Sequence, residues 1–226
     1  MKTLVVIAHP DSQQSSLQSF LKESTKNLSG VTLYDIAQEL DSFDLEEVQK
    51  LMKSHNRIIF QFPMYWYAAP DILYKWIEKV FTSQLYKEKI KGKELGIVIN
   101  MGQKLSSFQA GGQEHFTISE LLKPFQALAY KCQMTYLQPF PISLFSYLPD
   151  REKKKLVLEY QQYLTKDNND KFLTKEYWVI ERLDDLVKRN MIHDPNNKVE
   201  LIKSTIEANR LELDNLLETL EEMRDV

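Results

Sequence analysis

Short apolar runs rich in β-branched residues alternate with stretches of helical periodicity through the first two thirds of this sequence, and nothing else in it constrains the fold so tightly. The runs are Lys2 to Ala8, Val31 to Ile36, Arg57 to Phe62, Glu94 to Ile99 and Met134 to Phe140, each too short for an ordinary helix. Between them the pattern predicts helices over Ser16 to Lys26, Leu45 to Ser54, Asp71 to Phe81 and Ile118 to Lys131, the last with Pro124 as an internal irregularity. Such alternation favours right-handed βαβ crossovers and a parallel sheet with helices on both faces. Sheets of that kind bind ligands beyond the carboxyl ends of their strands, which directs attention to the loops after strands one, three and four.

After Ser146 the pattern turns into charged, helix-forming sequence with almost no glycine. The expected division is therefore an α/β domain over 1–148 and a helical extension over 149–226. Asp150 can cap a helix running to about Leu164, Lys166 to Lys171 reads as a connecting loop, and a second helix is predicted over Lys175 to Asn190. In the last segment Val199, Ile202, Ile206, Asn209, Leu213, Leu216, Leu220 and Met223 follow steps of three and four, a heptad seam with one asparagine inside it. Asn197 and Glu200 have the spacing of a capping box, just past the Asp194-Pro195 turn. The seam can lie on its own domain or the preceding helix, or meet a second copy or another protein.

Composition narrows the classes of function. Of the 226 residues, 43% are apolar and 27% charged, as in ordinary globular proteins, and the net charge of -3 offers no general reason to bind nucleic acid or an anionic membrane. No apolar run reaches the roughly 18 residues of a membrane helix, and the opening Leu4-Val5-Val6-Ile7 is too short for a signal peptide, so a cytoplasmic protein is expected. A single cysteine, Cys132, rules out an internal disulfide framework. His9, His55, His115 and His193 form no paired ligand motif, and no metal site is expected.

Three loops carry residues suited to chemistry. His9-Pro10-Asp11-Ser12-Gln13-Gln14-Ser15-Ser16 leads from a strand into a helix N-terminus, where free N–H groups and hydroxyls suit a phosphate, although Ser and Asp are also ordinary caps. Neither G-x-G-x-x-G nor a P-loop follows the first strand, so the common nucleotide loops are absent. Phe62-Pro63-Met64-Tyr65-Trp66-Tyr67-Ala68-Ala69-Pro70 is unusually apolar for a surface loop and must cover a flat ligand, a partner or its own core. Asn100-Met101-Gly102-Gln103-Lys104 follows strand four, and Gly111-Gly112 would let backbone approach a ligand closely.

The segment Phe60 to Phe81, FQFPMYWYAAPDILYKWIEKVF, closely resembles the signature of flavodoxin-like NAD(P)H:quinone oxidoreductases, a family that includes bacterial drug-activity modulators and potassium-efflux ancillary proteins. The likeness continues through Gly111-Gly112, Leu121 to Phe125 and Met134 to Phe140, covering roughly residues 2 to 145. It implies a five-stranded parallel sheet of order 2-1-3-4-5, a homodimer, and a flavin that takes hydride from NAD(P)H and passes it to a quinone or similar flat acceptor. FMN is favoured, with FAD as the alternative. By position, His9, Ser15, Leu17 and Gln18 would serve the flavin phosphate, Pro63, Met64, Tyr65, Trp66 and Tyr67 the isoalloxazine ring, and Asn100, Met101, Gly102 and Gln103 its polar edge.

Three positions depart from the family pattern. Gln18 stands where asparagine is usual, and Asn100 to Gln103 replaces a Thr-Thr-Gly-Gly-like turn. Phe108 replaces a tyrosine that helps a neighbouring histidine stabilise charge on the reduced flavin. His115, close to that histidine position, is the candidate catalytic group. The missing hydroxyl and the added seam also raise a different reading, a flavin-binding regulatory or interaction subunit with little reductase activity.

Overall fold

The structure, a computed structural model, describes residues 1–38, 44–81, 89–167, 172–192, 194 and 196–224. Six strands form one sheet: β1 (Thr3–Ile7), β2 (Val31–Asp35), β3 (Arg57–Pro63), β4 (Glu94–Met101), β5 (Thr135–Tyr136) and β6 (Phe140–Ser143). Every pairing is parallel, and the order is β2-β1-β3-β4-β5, with β6 also on β4. This is the order the resemblance implies.

The fifth strand of the sequence reading is two short ones. Pro139 lies between them, and a residue without an N–H cannot donate to the ladder. Leu137 N still donates to Leu95 O at 2.8 Å, and β6 then resumes beside Val98 to Met101. The helix expected over Ile118 to Lys131 also divides, into α4 (Ile118–Leu121) and α5 (Lys123–Lys131). Pro124 stands in the first turn of α5, where its missing N–H has no intrahelical acceptor to lose.

β1 and β3 are buried along their whole length, so side chains of opposite parity meet different helical layers. Leu4, Val6, Ile58, Phe60, Phe62, Ile97 and Ile99 share one cluster with residues of α2 (Leu45–Ser54), α3 (Asp71–Val80) and α5. Val5, Ile7, Ile59 and Val98 share the other with α1 (Ser16–Thr25) and α6 (Asp150–Thr165). Gln61 belongs by parity to the second face, an amide among aliphatic side chains.

Contacts divide the chain into compact units Met1–Asn168 and Asn169–Val226. The change of composition at 148/149 sets α6 with the extension, whereas its contacts place it in the first unit: Leu156, Tyr160 and Leu164 are buried in the α1-side cluster. Its C-terminal end is tied down from the sheet. Thr3 Oγ1 donates to Leu164 O at 2.6 Å, and buried Arg57 donates to Tyr163 O and, at 2.9 Å, to Lys166 O, while its Nε meets Glu94 at 2.7 Å. Gly96 makes room for this helix, since a Cβ there would lie 2.6 Å from the Tyr163 hydroxyl. At the other end, Asp150 does not cap α6; Pro149 holds the cap position and Asp150 is the first helical residue.

The second unit contains α7 (Phe172–Lys188) and α8 (Lys198–Arg224). The loop expected over Lys166 to Lys171 lies mostly outside the described residues. Asp194, not Asn197, caps α8, accepting from Lys198 N at 2.7 Å and Val199 N at 2.8 Å, while Asn197 takes a left-handed φ of 52°. α8 lies along α7 with Val199, Lys203, Ile206, Arg210 and Leu213 half-buried, and the ion pairs Lys203–Asp184 (2.9 Å) and Arg210–Glu176 (2.7 Å) run between them. Ile202, Asn209, Leu216, Leu220 and Met223, the remainder of the seam, are exposed. No described helix is long and apolar enough to cross a membrane.

Candidate functional site

The strands of a parallel sheet all point their carboxyl ends to one edge, and the loops leaving β1, β3, β4 and β6 meet there. The first of these loops is held by internal polar contacts. Asp11 N donates to His9 Nδ1 at 3.0 Å, and buried Ser12 donates its hydroxyl to Asp35, which also pairs with Lys22 at 2.8 Å. Burial lowers the pKa of His9 against the opposing influence of Asp11 and Asp35, so its ring is neutral at pH 7 with the proton on Nε2. Ser15 is the N-cap of α1, its hydroxyl accepting from Gln18 N at 3.3 Å. The Leu17 side chain is buried, which leaves its backbone N–H for a ligand.

The loop after β3 is a two-residue hairpin. Tyr65 N donates to Ala68 O at 2.9 Å and Ala68 N returns to Tyr65 O at 3.0 Å. Trp66 and Tyr67 therefore occupy the central positions of the turn, with φ of 47° and 66°. Asn-Gly is the usual pair for such a turn, and holding bulky residues there costs about 1–3 kcal/mol each. Trp66 is 93% exposed at its tip. Tyr67 O–H donates to Glu114 at 2.8 Å, tying this hairpin to the segment after Gly111-Gly112, and that hydrogen bond raises the tyrosine pKa. Gly112 is required where it stands, because a Cβ would collide with Ser107 O.

Met64 N donates to Asn100 O at 2.8 Å, locking the hairpin to the end of β4. The Asn100 side chain is the anomaly here. Its Oδ1 is sealed from solvent and has no hydrogen-bond partner, a state that costs about 1–3 kcal/mol unless a ligand supplies a donor.

Two cavities lie along this edge. One, of about 220 Å³, is lined by Ser15, Ser16 and Leu17, by Asn100 to Gly102, and by Ile142 and Leu144 to Tyr147. The other, of about 180 Å³, is lined by Met64, Trp66, Tyr67, Met101, Gly102, Gln103, Phe108 and Glu114. They share Met101 and Gly102 and adjoin there as two ends of one cleft, each alone smaller than the roughly 300 Å³ at which ligand pockets begin.

The structure thus gathers Ser15, Leu17, Met64, Trp66, Tyr67, Asn100, Met101, Gly102 and Gln103 around the cleft, with buried Pro63 at the end of β3 beneath them. Tyr65 forms the base of the hairpin and is half-exposed. Gln18, 1% exposed, accepts from Gln61 through its Oε1, and neither it nor His115, exposed with a left-handed φ of 61°, lines either cavity. Phe108 does line the second cavity, so the position that departs from the family pattern lies at the site. Sequence reasoning missed Glu114 and the wall from Ile142 to Tyr147. Ending the fifth strand at Phe140 hid that wall; a break at Pro139 is the signal that would have revealed it. Among the described residues no three His, Cys, Asp or Glu side chains gather as a metal ion requires.

Comparison with known proteins matches residues 1–166 to the family described as having a flavodoxin-like fold. The chain is 37% identical over 171 residues to the uncharacterized NAD(P)H oxidoreductase YdeQ of Bacillus subtilis, covering 73% of this chain and 87% of the relative. Among solved structures, an NADPH-quinone reductase from P. pentosaceus is 40% identical with a TM-score of 0.70, covering 73% of this chain and 98% of its own. General stress protein 14 from Treponema denticola, solved in complex with FMN, is 25% identical with a TM-score of 0.67, covering 73% and 98%.

Proposed function

The chain belongs to the flavodoxin-like fold family, and from that premise we propose that it is a flavin-dependent NAD(P)H oxidoreductase that reduces a quinone or similar flat acceptor. The observation that carries the reading is the sealed, partnerless Asn100 Oδ1 in a cleft with hydroxyls and a helix N-terminus at one end and aromatic side chains at the other. Such a cleft suits a ligand with an N–H on a flat ring and a phosphate on a tail. The names of the relatives, an NAD(P)H oxidoreductase and an NADPH-quinone reductase, support the activity, and FMN in the Treponema denticola protein supports FMN over FAD.

When bound, the flavin supplies the two-electron chemistry, taking hydride from NAD(P)H and giving it to the acceptor. The chain supplies the setting. Ser15, Ser16 and Leu17 would hold the phosphate with a hydroxyl and unpaired N–H groups, and His9, in the same loop, would add its Nε2–H. Met64, Trp66 and Tyr67 form the apolar wall that orients flat rings and keeps water from them. Asn100 to Gln103 would meet the polar edge. Phe108 brings no hydroxyl to the cleft, so it would offer a bound flavin no hydrogen bond where a tyrosine could, and slower turnover than in a protein with tyrosine there is expected.

Purified protein is expected to be yellow, to release FMN on denaturation, and to oxidise NADH or NADPH when a quinone is added. Colourless protein that neither takes up FMN nor consumes NAD(P)H would remove the proposal. The exposed Trp66 tip supports a homodimer in which a second copy covers it, and the single buried Cys132 supports a cytoplasmic setting.

The exposed residues Ile202, Leu216, Leu220 and Met223 favour a second role, contact with a protein partner through α8. Ending the chain after Asn168, the boundary of the first compact unit, is expected to leave FMN affinity within about twofold of the full chain. Any association made through α8 should disappear in the same variant. Loss of FMN binding on truncation would show that the second unit serves the cofactor site.

A further inference from the structure

A buried phenol, whose O–H has Gln61 as its acceptor among the described residues, stands behind the phosphate end of the cleft. Tyr160 of α6 is fully buried and burial drives its pKa upward, so its hydroxyl stays protonated, and it donates to Gln61 Oε1 at 2.7 Å. Gln61 of β3, 1% exposed, is thereby oriented with Nε2 toward α1, where it donates to Gln18 Oε1 at 2.6 Å. An amide has one acceptor and one donor end, so each link dictates the next. Gln18 must present its NH2 at the far end of the chain. Among the described residues that NH2 makes no hydrogen bond, and although Gln18 is only 1% exposed, its Nε2 is not one of the atoms sealed from solvent without a partner. It lies in the first turn of α1, one residue beyond Leu17, which lines the cleft.

We propose that Tyr160 and Gln61 are positioning residues that polarise Gln18, fixing its amide with the donor end toward the flavin phosphate. This rests on the flavin reading above. Proteins with asparagine at this position have a side chain one methylene shorter. Here the longer amide spans from the sheet to the first turn of α1, and α6 sets its direction. The network is buried: Gln61 projects to the same face of the sheet as Ile59, toward α1 and α6. An acceptor-only anion beyond Gln18 completes it, whereas a donor there would clash with the NH2.

The test compares FMN with riboflavin, which has the same ring and no phosphate, by quenching of flavin fluorescence on titration into apoprotein. In Tyr160→Phe the Gln61 amide loses its fixed donor, and both amides are free to flip. FMN affinity is expected to fall about tenfold, the worth of a hydrogen bond to a charged group, while riboflavin affinity stays unchanged. Gln18→Glu keeps the acceptor that Gln61 requires and removes the NH2, so it should lower FMN affinity further and again spare riboflavin. A general packing defect would weaken both ligands together. Equal losses for the two flavins, or no loss of FMN affinity in Gln18→Glu, would overturn the proposal. Wild-type protein that binds neither flavin would instead overturn the cofactor reading beneath it.

Discussion

Arg57→Met is expected to destabilise the protein by about 3 kcal/mol, because it removes a guanidinium that is 2% exposed and leaves its partners without donors. Glu94 loses its ion-pair partner, and the carbonyls of Tyr163 and Lys166 lose the donors that close the C-terminal end of α6. Total stabilities are only about 5–15 kcal/mol, so this is a large fraction, and in a chain of this size it lowers Tm by roughly 10 °C. Lys75→Met removes an exposed pair with Asp71 and should leave Tm unchanged. Thermal and urea unfolding measure both. Hydrogen exchange should locate the damage, with amides of α6 losing protection before those of β1 and β3. An Arg57→Met protein as stable as wild type would mean that water replaces the guanidinium without cost.

Asn100→Leu is expected to move stability and binding in opposite directions. Asn100 Oδ1 is buried without a donor, so replacing the amide by an apolar side chain of similar size removes a penalty of about 1–3 kcal/mol from the ligand-free protein. The same change deletes the acceptor that the cleft offers to the ring of a bound flavin. FMN affinity should then fall by about tenfold or more. A rise in the apoprotein Tm together with a weaker FMN titration is the signature of a group kept for function at a cost in stability. If Tm falls, Asn100 supports the fold through its backbone neighbours, and the assignment of its side chain to a ligand fails.

Much of the body was legible because it rests on local signals. Buried parallel strands read as β-branched runs, Ser15 stands where a cap must stand, and the Met64-Tyr65-Trp66-Tyr67 loop is too apolar to be idle surface. What escaped depends on partners distant in sequence. Tyr160 looks like one more residue of an amphipathic stripe, and only the fold brings it to Gln61 and Gln18. Arg57 reads as the charged edge of a strand, and its acceptors lie 106 and 109 residues further on. The composition of α6 is that of an extension, so the sequence alone sets the boundary too early. His115 shows the converse problem. One residue of register in a glycine-containing loop separates it from Glu114, which lines the second cavity with Phe108 while His115 does not.

The ties that hold α6 also set a schedule for synthesis. Arg57 and Thr3 emerge from the ribosome long before Leu164 and Lys166, which lie 161 and 109 residues after their respective partners. At about 5–20 residues per second, the guanidinium waits roughly 5 to 20 seconds for the carbonyls that will shelter it. During that interval the sheet has one face without α6, and an aliphatic surface is open to chaperones and to other nascent chains. Closure comes only when the last turn of α6 leaves the exit tunnel, so a pause in translation after that turn has emerged would aid folding, while a pause before it has emerged would prolong the vulnerable state.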